Sequence, residues 1–233
     1  MRNYFSTLFF ALLIFNVGCS EDDNAPVKKT MSLKFEFASD KEGWTEGFAD
    51  YPQGEESSYE LSYTHANLPD ELDTSQGSLK ISGNNHSDDL FMYIKRKITG
   101  LTPNGSYQVK FNVEVASNAP SNAFGVGGAP GESVYLKAGA TTGEITTTVD
   151  NSGHHRMTLD KGNQEEDGKD MVLIGNVANG TDKDQYVLIS KSNKDAFPVT
   201  ADSNGELWVV IGTDSGFESV TTLYYNKISI LFE

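Results

Sequence analysis

Between Ser82 and Asp89 the chain concentrates Asn84, Asn85, His86, Asp88 and Asp89, side chains that hydrogen-bond hydroxyl groups or hold cations. Phe91 and Tyr93 follow on the polar parity of the next strand pattern. An aromatic face for C–H groups beside planar polar groups for hydroxyls is what sugar recognition requires. Each polar residue alone also fits an ordinary Asx-rich turn; as a cluster they form the first-choice ligand site. Trp208 has the opposite parity to Leu207, Val209 and Ile211. It is either an exposed platform or part of a sheet buried on both faces, and parity leaves both open. Further on, Asp214 and Glu218 place two carboxylates in one loop. Oxygen-rich loops suit calcium, and a solvated hairpin end is the plainer alternative.

Other chemistry is thinner. His154 and His155 are adjacent, so on a strand they point to opposite faces; with His65 and His86 they show no helical metal-ligand spacing. The acidic run from Asp160 to Asp170 lacks the register of a calcium-binding helix–loop–helix. No Gly-x-Ser-x-Gly elbow occurs, and Glu114 stands alone between valines. Binding without catalysis is therefore favoured. Paired carboxylates meet in space and not in sequence, so a glycan hydrolase is the alternative, and an envelope structural or assembly protein is the third reading.

Something must position these residues, and alternation says that it is β-structure. Tyr107, Val109, Phe111, Val113 and Val115 alternate with Gln108, Lys110, Asn112 and Glu114. The same period runs through Leu33–Phe37, Leu79–Ile81, Met92–Ile98, Val134–Leu136, Leu207–Ile211 and Ile228–Phe232. Thr102-Pro103-Asn104-Gly105 is a tight turn, and Asp202-Ser203-Asn204-Gly205 is expected to close a hairpin between strands at Phe197 and Leu207. Gly125 to Gly131 is a glycine- and proline-rich loop. Trp44 reads as core, with Asp50 and Tyr51 in a long connection after it. Without repeats or a second composition regime, the expectation is one antiparallel, all-β jelly-roll sandwich over residues 31–233.

The formal net charge is −15, a surface that repels phosphate backbones and argues against nucleic acid. A monomer is expected. The single cysteine, Cys19, allows no disulfide within the chain. Arg2, the apolar stretch Phe5–Phe15 and the small Gly18 directly before Cys19 have the layout of a secretory signal over residues 1–18. It is too short for a membrane span.

Gly18-Cys19 resembles a bacterial lipobox, with Asn16 where leucine is common. The Ser20-Glu21-Asp22-Asp23-Asn24 run resembles the acidic signal of Bacteroidetes surface lipoproteins. The resemblance implies acylation of Cys19, an acidic linker over 19–30, and a lipid-anchored outer-membrane protein facing outward from the cell. In the domain, Phe35 through Gly43-Trp44, Leu79-Lys80-Ile81-Ser82-Gly83, Ile98 through Tyr107 and Tyr224 through Ile230 together resemble galactose-binding-like jelly rolls and carbohydrate-binding modules. That resemblance implies a glycan ligand and a structural calcium, although Asn226 stands where many such modules carry aspartate.

Overall fold

The computed structural model describes residues 30–233, and the expectations placed on Cys19 and its flanks lie outside them. The strands in chain order are β1 (Met31–Phe35), β2 (Thr45–Ala49), β3 (Tyr51–Pro52), β4 (Ser62–Asn67), β5 (Gly77–Asn84), β6 (Leu90–Ile98), β7 (Ser106–Ser117) and β8 (Val134–Thr141). Then come β9 (Thr147–Val149), β10 (His154–Met157), β11 (Met171–Asn176), β12 (Val187–Ser192), β13 (Phe197–Thr200), β14 (Leu207–Ser215) and β15 (Val220–Phe232). The described residues form no helix, and the architecture is an all-β antiparallel sandwich of the jelly-roll type.

One sheet has seven strands, with β12-β7-β15-β5-β4 as its main order, β1 beside β15 and β13 beside β7. The other has five, in the order β11-β8-β14-β6-β2. The alternation of β7 now has its cause: Val109, Phe111, Val113 and Val115 face the five-stranded sheet, while Gln108 and Asn112 face water. Met92, Ile94, Leu136, Val209 and Ile211 answer them from the opposite layer. Trp44 is buried and meets Phe35 edge to face at 5.4 Å. β15 lies in the middle of its sheet, paired with β7, β5 and β1.

Two expectations change. The turn at Asp202–Gly205 forms, with Gly205 donating to the Asp202 carbonyl, but it does not close a hairpin. β13 pairs with β7 and β14 with β6 and β8, so the turn carries the chain from one sheet to the other. The outer face of the five-stranded sheet is also not a solvent face. A short third sheet, β3-β10-β9, and its connections cover it, enclosing a second apolar cluster of Ala49, Phe91, Tyr93, Ile145, Met171 and Val210. Gly47 makes room there, since a Cβ would stand 2.1 Å from the Tyr93 ring.

Candidate functional site

The sequence-predicted cluster divides into three fates. Phe91 and Tyr93 are fully buried, with ring centroids 5.8 Å apart in the second core; they support the covering layer and present no surface to a ligand. Asn85 is buried too. Its Nδ2 donates to the carbonyls of Ser215 (2.8 Å) and Phe217 (3.0 Å), and its Oδ1 accepts from the amides of Ser87 and Leu90. Every part of that amide is committed to holding two loops together. Asn84 donates to Glu60, and the exposed His86 ring sits 3.1 Å from the Ser58 carbonyl. Trp208 is half-buried against the second core, with the Lys95 ammonium 5.5 Å from its ring centroid. Asp88 remains exposed, in a left-handed turn at φ 58°.

Asp89 belongs to something the sequence did not announce. Oxygens of Asp50, Asp89 and Asp214 lie within 4.8 Å of one another, close enough to share a cation. Asp214 is therefore not in a solvated hairpin end. It lies within β14 and is fully buried, and Glu218 is not one of the three grouped carboxylates. The cations that contact these acids are side chains. Lys161 Nζ stands 2.7 Å from Asp214 Oδ2 and 3.1 Å from Asp50 Oδ2, with the buried Lys137 ammonium 3.7 Å from Asp214. Arg156 binds Asp50 at 2.7 Å, Asp150 at 3.0 Å and Asp89 at 3.2 Å. A calcium ion, which takes six to eight oxygens, would have to displace the Lys161 ammonium.

Charge sets the protonation here. Burial works against the Lys161 ammonium, yet the Asp214 and Asp50 carboxylates outweigh it and hold its pKa above the ordinary lysine value. Burial pulls Lys137 the other way, below that value. Burial and then the Asp50 charge raise Asp89 above its ordinary 3.8. A carboxyl that holds its proton more tightly in the folded state loses stabilisation as pH rises through that raised value. Urea unfolding across the acid range should therefore show wild type losing stability relative to Asp89→Asn as pH climbs from 3.8. A difference of the opposite slope would contradict the assignment.

Together Asp50, Asp89, Arg156, Lys161 and Asn163 line an open cleft of about 290 Å³. Each of the three grouped carboxylates already faces a cationic partner, so this cleft reads first as the clasp that holds the 144–170 segment onto the sheet.

A different cleft, of about 310 Å³, opens at the end of the sandwich where β7 finishes and β15 begins. Its walls are Ser117 to Pro120, Ala123, Phe124, Pro130, Asp184, Phe217 and Val220 to Leu223. Phe124 is wholly exposed at 102 % of its reference surface, and its neighbour Val126 is 66 % exposed. The loop bearing them is fixed from beneath: Gly125 lies so close to Phe217 that a Cβ would come within 2.5 Å of the ring, and Glu218 donates its amide to the Val126 carbonyl. Beside Phe124, Asn118 donates to Asp184 at 2.7 Å, and the Thr222 and Ser82 hydroxyls meet at 2.7 Å. An exposed ring on a supported loop, flanked by planar polar groups, is the arrangement expected at the Asn84–Tyr93 run, but built from other residues. The sequence signal was there: Phe124 and Val126 are apolar residues on either side of Gly125, at the start of a glycine-rich loop.

No family model matches the chain, and no curated protein matches it. Among solved structures, the adhesin domain K1 of Lys-gingipain from Porphyromonas gingivalis aligns at 11% identity and a TM-score of 0.39, over 86% of this chain and 97% of that one. A xylan-binding domain of carbohydrate-binding module family 22 aligns at 14% and 0.36, over 84% and 92%. The enzymatically active domain of tailspike protein 4 from bacteriophage CBA120 aligns at 10% and 0.38, over 83% of this chain but only 20% of that one. Scores of this size leave the chemistry of the cleft to be argued from its own side chains.

Proposed function

We propose that this protein is a glycan-binding lipoprotein of the outer membrane, displayed at the cell surface, and that the Phe124 cleft binds the glycan without catalysis. The carrying observation is Phe124 itself. A fully solvated phenylalanine gains nothing for folding. Sharing a cleft with the polar groups of Asn118 and Asp184, it offers a flat apolar face to the C–H side of a sugar ring. Orientation supports display. Met31 pairs with Phe232 at one end of β15, whereas Val220–Leu223 line the cleft at the other, about 40 Å away along a thirteen-residue strand. A chain anchored at Cys19 enters the domain at the pole opposite the cleft. The ion-paired state of the Asp50, Asp89 and Asp214 carboxylates favours binding over a hydrolytic role for that second cleft.

A glycan array probed with the full-length chain tests the reading. Specific binding should fall about 30-fold on Phe124→Ala, corresponding to loss of about 2 kcal/mol from a central aromatic contact. The melting temperature should stay put, because an exposed side chain contributes within about 0.5 kcal/mol to stability. Absence of binding to any glycan, or binding indifferent to Phe124, would sink it. Calcium enters this reading only as a structural ion competing with Lys161. Equal unfolding midpoints in excess calcium and in chelator would show the ammonium serving alone, and a higher midpoint in calcium would show the ion displacing it.

A further inference from the structure

The Phe124 cleft does not stop at its own walls. Two lining residues, Asp184 and Thr222, are each followed two positions later by a tyrosine. Strand alternation puts Tyr224 on the same outward face of β15 as Thr222. Tyr186 meets it there edge to face, with centroids 5.3 Å apart and rings at 88°. Lys80, the cross-strand partner of Tyr224 on β5, sets its ammonium 5.5 Å from the Tyr224 ring centroid. From Val220 at the cleft to Tyr224 the outward face of β15 covers about 13 Å, longer than a single sugar ring. This is the face of the seven-stranded sheet that points away from the sandwich core, and no strand layer of the described residues covers it.

Two carboxylates, Glu71 and Asp184, act on this strip. Burial pushes the Tyr186 hydroxyl up to about 12, and Tyr224, Glu71 and Asp184 push in the same direction. Asp184 stands exposed at the junction between the cleft and the tyrosines. Lys80, on the strip, is turned onto a ring. An anionic chain would meet carboxylates at close quarters on a protein of net charge −15.

Resting on the glycan-binding reading of the cleft, we infer that the ligand is an uncharged polysaccharide chain that continues out of the cleft along β15, with Phe124 as its first aromatic station and the Tyr224–Tyr186 pair as its second. Amphipathic tyrosines suit the second station, since the ring takes the C–H face and the phenol bonds a hydroxyl. Thr222 and Ser82, between the stations, present hydroxyls to the middle of the chain.

Calorimetric titration of the full-length chain with xylo-, manno- and gluco-oligosaccharides, from disaccharide upward, tests this, with oligogalacturonate as the anionic counterpart. In at least one neutral series, affinity should rise about tenfold from the disaccharide to the longest member, the gain from one further aromatic contact. Tyr224→Ala should flatten that rise, and Tyr224→Phe should restore most of it by returning the ring. Affinity independent of length, or a rise untouched by Tyr224→Ala, overturns the second station. Tighter binding of oligogalacturonate than of any neutral chain overturns the uncharged ligand. Both outcomes leave the cleft itself a glycan site, whereas failure of every oligosaccharide to bind overturns the cleft reading along with this one.

Discussion

Replacing Lys161 with methionine should lower the unfolding free energy by about 3 to 5 kcal/mol, the usual cost of removing one partner from a buried ion pair. The carboxylate of Asp214 has no exposure to water, and that of Asp50 almost none. Without the ammonium at 2.7 and 3.1 Å, Asp50 keeps Arg156 at 2.7 Å, but the fully buried Asp214 keeps only the Lys137 ammonium at 3.7 Å and the Gln164 amide at 2.9 Å. Urea unfolding at neutral pH is the measurement. The sign of the Lys161 shift fixes the window: a raised lysine value means that its contribution is present below the unfolded value and fades only as pH rises through the folded one. Neutral buffer therefore sees all of it. A single mutant within about 1 kcal/mol of wild type would show that the 144–170 segment is held by Met157, Leu159 and Ile145 on the second core and not by charge.

Asn85→Ala should cost about 3 kcal/mol or more, for a different reason. The mutation removes a donor from the carbonyls of Ser215 and Phe217, the latter keeping the Ser215 hydroxyl at 3.0 Å, and takes the acceptor from the amides of Ser87 and Leu90, at a nearly dry junction. Each buried polar group left unpaired costs about 1 to 3 kcal/mol, with part of it returned where water can enter. Asn85→Asp keeps the acceptor for the Ser87 and Leu90 amides but sets a second carboxylate oxygen against the Ser215 and Phe217 carbonyls, so its loss is smaller than that of alanine only if the kept amide bonds outweigh that repulsion. Glycan affinity per folded molecule should change little in either variant. A variant that melts like wild type while losing the ligand would return Asn85 to the binding surface and contradict the geometry.

How far the sequence reached depends on whether a signal was local. Period-two alternation located β5, β7 and β15, because each buries one set of side chains against the opposite sheet, and also β14, whose other set packs into the second core. It misled at β6. Phe91 and Tyr93 alternate with Met92 and Ile94, and a strand apolar at both parities is one covered on both faces; here the second cover is β3-β10-β9. The turn at Asp202 was readable from its own residues, but its strands pair with β7 and β6, which no local pattern encodes. The Asp50–Asp89–Asp214–Lys161 cluster is assembled from three strand ends and a loop, so its members carry no spacing. Phe124 was visible as an apolar residue in a glycine-rich loop, but the Asn118–Asp184 pair beside it appears only once the β7 and β12 ends meet.

β15 is the last strand of the domain in sequence and yet the central one of its sheet, with β7 on one side, β5 on the other, and β1 alongside its final turns. Nothing made earlier can substitute for it: until it docks, β5 and β7 have no common neighbour, and the first strand has no partner at all. A nascent chain therefore leaves the two halves of the seven-stranded sheet unjoined until its end is made, because closing long loops is repaid only by pairings still to come. On the export route proposed above, this ordering would delay the joining of the sheet until residues 220–232 arrive.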